Sequence, residues 1–203
     1  IESESFRLPC DILLETCGPR PIAALSGPTI AAELARRLPA VLVAASDDAA
    51  LAARVAAVFT SPWTKIYQSS DLVGVELAGA CKNVIAIAVS GVRSLGSGED
   101  AAAALLSRGV AEMARLAEAC GGRIETACGL AGVGDLVVTS SNTGSRNAKL
   151  GALLASGMSV QAAVDKIGAT VEGIGTAHGA LQLAAAHKLE MPITAAVVAA
   201  LDG

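Results

Sequence analysis

A lysine inside an apolar run is the first residue with the means to do chemistry. Lys82 stands in Ala80-Cys81-Lys82-Asn83-Val84-Ile85-Ala86, where an ammonium must reach water, pair with an anion or give up its proton. Desolvation disfavours the charged form of a lysine, and an amine tuned toward neutrality both donates and accepts a proton. A snorkelling lysine, or one paired with Glu76 on the same helix, explains the residue without any chemistry.

Three further strings carry polar groups in glycine-rich or capping contexts. In Gly132-Val133-Gly134-Asp135-Leu136, glycine lets backbone approach a ligand closely. Asp135 there can accept bonds from hydroxyls, hold a lysine, or simply cap a helix. In Thr143-Gly144-Ser145-Arg146-Asn147, Ser145 is a natural N-cap, which puts Arg146 and Asn147 in a first helical turn. Helix N-termini favour anions, and the arginine fork suits phosphate oxygens. A capped surface helix accounts for the same string. Ser26-Gly27-Pro28-Thr29 joins a strand to a helix, the place where α/β sheets put ligands, so Gly27 and Thr29 either border a site or make a plain turn.

Weaker signals are set aside. His178 and His187 make no metal pair, Glu99-Asp100 reads as a helix cap, and Phe6, Phe59, Trp63 and Tyr67 are too scattered to stack bases. No complete G-x-G-x-x-G occurs.

The elements that must position these residues follow from periodicity and breakers. Strands are expected over 22–25, 40–45 and 65–68, with helices over 29–37 and 48–59, the latter capped by Asp47. Strand, helix, strand, helix, strand is the order of an α/β sheet. After residue 70 no strand is needed: helices are expected over 72–89, 99–120, 146–155, 159–167, 172–189 and 194–201, with a loop over 91–98. The expected division is residues 1–70, part of an α/β sheet, and residues 71–203, all-helical.

Composition supports packed helices. The chain has 203 residues, 43 of them Ala and 21 Gly, and Ala is the best helix former. Fifteen Lys+Arg against 19 Asp+Glu, with 2% aromatic residues, argue against nucleic acid. A 53% apolar content argues against disorder. No membrane span is expected, because Glu76, Lys82 and Asn83 interrupt the best apolar run. Glu2, Glu4 and Arg7 leave no signal core in the opening residues. Five scattered cysteines, with no C-x-x-C, suit a reducing cytoplasm. An Ala-rich helical surface favours a homodimer.

Taken in order, the motifs resemble one family. Ser26-Gly-Pro-Thr29, Gly74-Val-Glu-Leu-Ala-Gly-Ala-Cys-Lys-Asn-Val-Ile-Ala-Ile-Ala88, Ser107-Arg-Gly-Val-Ala-Glu-Met113, Gly129-Leu-Ala-Gly-Val-Gly-Asp-Leu-Val-Val-Thr139, Ser145-Arg-Asn147, Val171-Glu-Gly173 and Glu190-Met-Pro-Ile-Thr194 are together similar to bacterial-type NAD(P)-dependent glycerol-3-phosphate dehydrogenases. The resemblance implies interconversion of dihydroxyacetone phosphate and sn-glycerol 3-phosphate with NAD or NADP, supplying phospholipid synthesis in the cytoplasm. It implies a Rossmann-like parallel sheet, here an α/β N-terminal remnant, followed by an all-α substrate domain. By resemblance, Lys82 is the catalytic proton donor and acceptor and touches substrate. Gly27, Thr29, Asp135, Ser145, Arg146 and Asn147 match substrate positions, and Ala31, Arg146 and Glu172 match cofactor positions.

The sequence also departs from the family. The family's glycine-rich fingerprint and a substrate lysine precede the position of Ile1, and the family continues beyond Gly203, so a truncated chain is expected. Asp100 replaces a frequent Asn. Two other readings stay open: a related dehydrogenase of another phosphorylated or acidic substrate, and a non-catalytic helical binding or dimerisation module.

Overall fold

The protein is described by a computed structural model covering residues 1–2, 5–142 and 144–203. Glu4 and Thr143 lie outside the described residues. Three strands, β1 (Ala24–Ser26), β2 (Ala40–Ala45) and β3 (Thr64–Ser69), form one sheet in that order. β2 and β3 are parallel from Ala40↔Thr64 to Ala45↔Ser69. Helix α3 (Ala49–Phe59) crosses between them. Asp48, rather than the expected Asp47, caps α3: its carboxylate accepts from the amides of Ala50 and Leu51 at 2.8 and 3.1 Å.

β1 runs antiparallel to β2, so the expected parallel pairing holds for β2 and β3 alone. The intervening helix α2 (Ala31–Ala35) is short and buries no residue. It does not cover the sheet as a crossover helix does; with Arg37 at φ 60° it turns the chain back. Gly27 is needed at the start of that turn. Its φ is +143°, and a Cβ there would stand 2.9 Å from Leu42 Cα.

Helix α1 (Pro9–Cys17) has no counterpart among the expected elements. Its signals are Pro9 in the first turn and Gly18 at the end, the usual asymmetry of helix termini.

From Leu72 onward the described residues are helical: α4 (Leu72–Ser94), α5 (Gly98–Ala119), α6 (Ile124–Ala127), a π-turn (Leu130–Gly134), α7 (Asp135–Ser141), α8 (Arg146–Ala155), α9 (Val160–Ile167), α10 (Glu172–Ala186) and α11 (Pro192–Asp202). α4 runs into the expected loop as far as Ser94 and is the central helix, buried along most of its length. It alone among the described helices is long and apolar enough to cross a membrane, yet 67% of that window is buried within the protein, as in a core helix.

One core joins Val43 and Ala45 of the sheet to Leu77, Val89, Met113, Leu116 and Leu136 of the helices. A second packs Val84, Ile87 and Leu150 against Val197 and Leu201. Leu77, fully buried, illustrates the energetics: truncating such a leucine to alanine costs about 2–5 kcal/mol.

Candidate active site

Asp135 is aimed by the π-turn before it. Such wide turns recur at functional sites. This one requires glycine at 132, where a Cβ would fall 1.8 Å from the Ala127 carbonyl oxygen. The Asp135 carboxylate meets the Lys82 ammonium of α4 at 2.6 Å, with side chains 9% and 17% exposed. Thr139, one turn along α7, closes a triangle: its hydroxyl accepts from Lys82 Nζ and donates to Asp135 Oδ1, both at 3.3 Å. Burial pushes the Asp135 carboxyl above its usual range, while Lys82 and then Thr139 pull it back. An oriented, mostly desolvated ammonium is thereby presented to a cleft of about 700 Å³.

The cleft lies between α1 and β1 on one side and α4, α7 and α10 on the other. Lys82, Asn83, Asp135, Glu172 and Thr176 line one wall, and Leu13, Ala24 and Ser26 the other. Glu76 also lines it but is not the partner of Lys82. Its carboxylate accepts the Cys10 amide at 3.0 Å, and burial raises its pKa. The Cys10 thiol beside it is pushed up to about 12 by burial and by Glu76, so it is no nucleophile at neutral pH.

A second buried network stands behind the cleft. Asn147 donates to Asn83 Oδ1 and accepts from the Gly173 amide, both at 3.0 Å, tying α8 to α4 and α10. Ser145 caps α8, accepting from the Ala148 amide at 3.3 Å. Arg146 does not line the cleft. It donates to the Thr170 carbonyl at 2.7 Å and pairs with Glu172, a cleft residue, at 3.5 Å.

Gly27 and Thr29 lie just beyond Ser26. The Thr29 hydroxyl donates to the Gly27 carbonyl at 3.4 Å, and neither residue lines the cleft. Ala31 is exposed at the start of α2. Of the expected site, Lys82, Asp135 and Glu172 converge on the cleft, Asn147 and Arg146 reach it through a partner, Gly27 and Thr29 follow the cleft residue Ser26, and Ala31 stands apart at the start of α2. Thr139, Asn83 and Thr176 were not anticipated. The detectable signals were the i, i+4 spacing of Asp135 and Thr139 and an amide side chain in an apolar helix, which must find a partner.

Elsewhere chemistry is sparse. A groove of about 980 Å³ between α4, α8 and α11 is apolar, with Asp202 its titratable lining residue. No group of three or more metal-ligating side chains occurs among the described residues.

The Lys82–Asp135–Thr139 triangle stands beside a cleft between a small α/β layer and a helical bundle. Residues 71–203 match the family model described as NAD-dependent glycerol-3-phosphate dehydrogenase C-terminus, and residues 1–52 the corresponding N-terminus model. The chain belongs to the NAD-dependent glycerol-3-phosphate dehydrogenase family. It is 44% identical over 97% of its length to the glycerol-3-phosphate dehydrogenase (NAD(P)+) of Aromatoleum aromaticum, covering 60% of that protein. It is 49% identical over 88% of its length to that of Cupriavidus taiwanensis, covering 53%. The crystal structure of glycerol-3-phosphate dehydrogenase from Coxiella burnetii superposes with a TM-score of 0.94 at 36% identity, over 98% of this chain and 62% of that one. The chain thus spans roughly three fifths of the length of such relatives.

Proposed function

We propose that this chain carries the substrate site of an enzyme interconverting dihydroxyacetone phosphate and sn-glycerol 3-phosphate with NAD or NADP. The observation that carries the reading is the Lys82–Asp135 contact at 2.6 Å inside the cleft. Bound nicotinamide would supply the hydride to the ketone carbon, or take it back. Lys82 protonates the carbonyl oxygen as it becomes an alkoxide and stabilises the developing charge; in the oxidative direction it receives the hydroxyl proton. Asp135 and Thr139 hold the ammonium on target. The Ser145-capped start of α8 and Arg146 bind the phosphate, Asn147 stiffens that end through Asn83, and Gly27 and Thr29 line the approach.

Two groups fit one end of a dinucleotide, Arg146 donating to a phosphate and Glu172 accepting from hydroxyls, with Ala31, exposed at the start of α2, for apolar contact. A glycine-rich pyrophosphate loop is not part of this sequence. We further propose a division into residues 1–70 and 71–203, supported by the end of β3 at Ser69. Five free thiols support a cytoplasmic location, and exposed Leu95 and Val137 support a homodimer.

The test exchanges Arg146 for Lys in a protein of the relatives' length. An ammonium cannot reproduce the two-donor fork. A lost charge-assisted bond is worth about 1.5–3 kcal/mol, so kcat/KM for dihydroxyacetone phosphate should fall about 10- to 150-fold. Activity toward unphosphorylated dihydroxyacetone should hardly change. Equal losses on both, in folded protein, contradict the phosphate role.

A further inference from the structure

Arg146 occupies an uncomfortable position for a cation. It is the first residue of the ten-residue helix α8, where the helix dipole favours an anion. The structure supplies one from within the chain. Glu172, the first residue of α10, places Oε1 3.5 Å from Arg146 Nη2. The other terminal nitrogen is occupied by the Thr170 carbonyl at 2.7 Å. Arg146 does not line the cleft, whereas Glu172, the residue that pairs with it, does.

From this arrangement we infer that Glu172 is a positioning residue that parks Arg146, acting as an internal stand-in for the ligand phosphate. The inference rests on the proposed phosphate role of Arg146. A phosphate entering the cleft must displace the carboxylate. A second ligand that engages the Glu172 carboxylate through paired hydroxyls, as a ribose does, releases the arginine and strengthens phosphate binding. Linkage makes the effect reciprocal. The pair is half-exposed on both sides, so its strength is that of a surface ion pair, enough to shift an equilibrium about two- to fivefold.

The test reads the arginine directly. A protein of the relatives' length is labelled with phenylglyoxal, and the rate at Arg146 is followed by peptide mass mapping, with Arg54 on α3 as internal reference. Glu172→Gln should label about two- to fivefold faster at Arg146, with Arg54 unchanged. Glycerol 3-phosphate should protect Arg146 at a correspondingly lower concentration in that variant, and glycerol should not protect. Glu118→Gln, a charge removed from exposed α5 surface, should behave as wild type. If glycerol 3-phosphate protects Arg146 but Glu172→Gln labels at the wild-type rate, or Glu118→Gln accelerates it equally, parking is overturned while the phosphate reading stands. If glycerol 3-phosphate protects in no variant, the phosphate reading fails and the inference falls with it, since the arginine has nothing to be released to.

Discussion

The Lys82 ammonium, halfway along α4, and the Asp135 carboxylate, first in α7, meet at 2.6 Å. Neither has another ionic partner among the described contacts, so each makes the burial of the other tolerable. Asp135→Asn keeps the shape and removes the anion. Breaking a buried pair by deleting one partner costs about 3–5 kcal/mol, and with Lys82 partly open to the cleft the lower end is expected. The double variant Lys82→Met/Asp135→Leu should recover part of the loss, because no unpaired charge is left. Urea unfolding measures both; an Asp135→Asn variant as stable as wild type would contradict the account of the pair.

Glu112 is a structural carboxylate of a different kind. It is 3% exposed and accepts from the Ile193 amide at 2.7 Å and from the Thr194 amide and hydroxyl at 3.1 and 3.0 Å. Those donors sit in the first turn of α11. Glu112→Ala strands them, at about 1–3 kcal/mol for an unsatisfied buried group. Hydrogen exchange in α11 should quicken more than in α8, and uniform quickening would argue against a local cap.

His178 and Asp202 fasten the end of α11 to α10 at 2.9 Å. The Asp202 bond, then the Ile174 carbonyl, raise the His178 pKa above 6.5. A raised histidine contributes stability that is fully present below its unfolded pKa and is lost as pH rises through the folded one. Both side chains are substantially exposed, so screening keeps the effect below about 1 kcal/mol. The melting temperature should fall as pH rises above about 6.5, and the fall should be smaller in His178→Gln. Identical pH profiles would remove the latch.

The 203-residue chain should bind NADH weakly. A dinucleotide's pyrophosphate is held by a glycine-rich loop at a helix N-terminus, and this sequence has no such fingerprint. Titration followed by nicotinamide fluorescence checks this, and micromolar affinity would mean the cofactor is held by other residues.

Three residues of the candidate cleft, Lys82, Asp135 and Glu172, were readable in the sequence, and what escaped it has physical causes. Lys82 stood out because an ammonium in an apolar helix is costly. Of its two candidate partners, Glu76 is six residues away, off the i, i+3 and i, i+4 neighbour positions, and Asp135, brought in by a distant helix, is the one that meets it. Thr139 and Asn83 gain meaning only once α4, α7 and α8 are packed together. Strand positions followed from short apolar runs, but the direction of β1 depends on how its turn folds back, which periodicity does not encode. The offset between Asp47 and Asp48 at the start of α3 is of the same sort. Either residue can cap, and only the geometry of the first turn selects one.

The central claim is that Lys82 moves the proton. The most direct measurement is turnover of dihydroxyacetone phosphate with NADH by Lys82→Ala, in a protein of the relatives' length shown to be folded and under conditions where chemistry limits the rate. General acid–base catalysis contributes about 10²–10⁴ in rate, so kcat should fall by a large part of that factor while KM changes little. A kcat within about threefold of wild type, far below the range for a lost general acid, would contradict it.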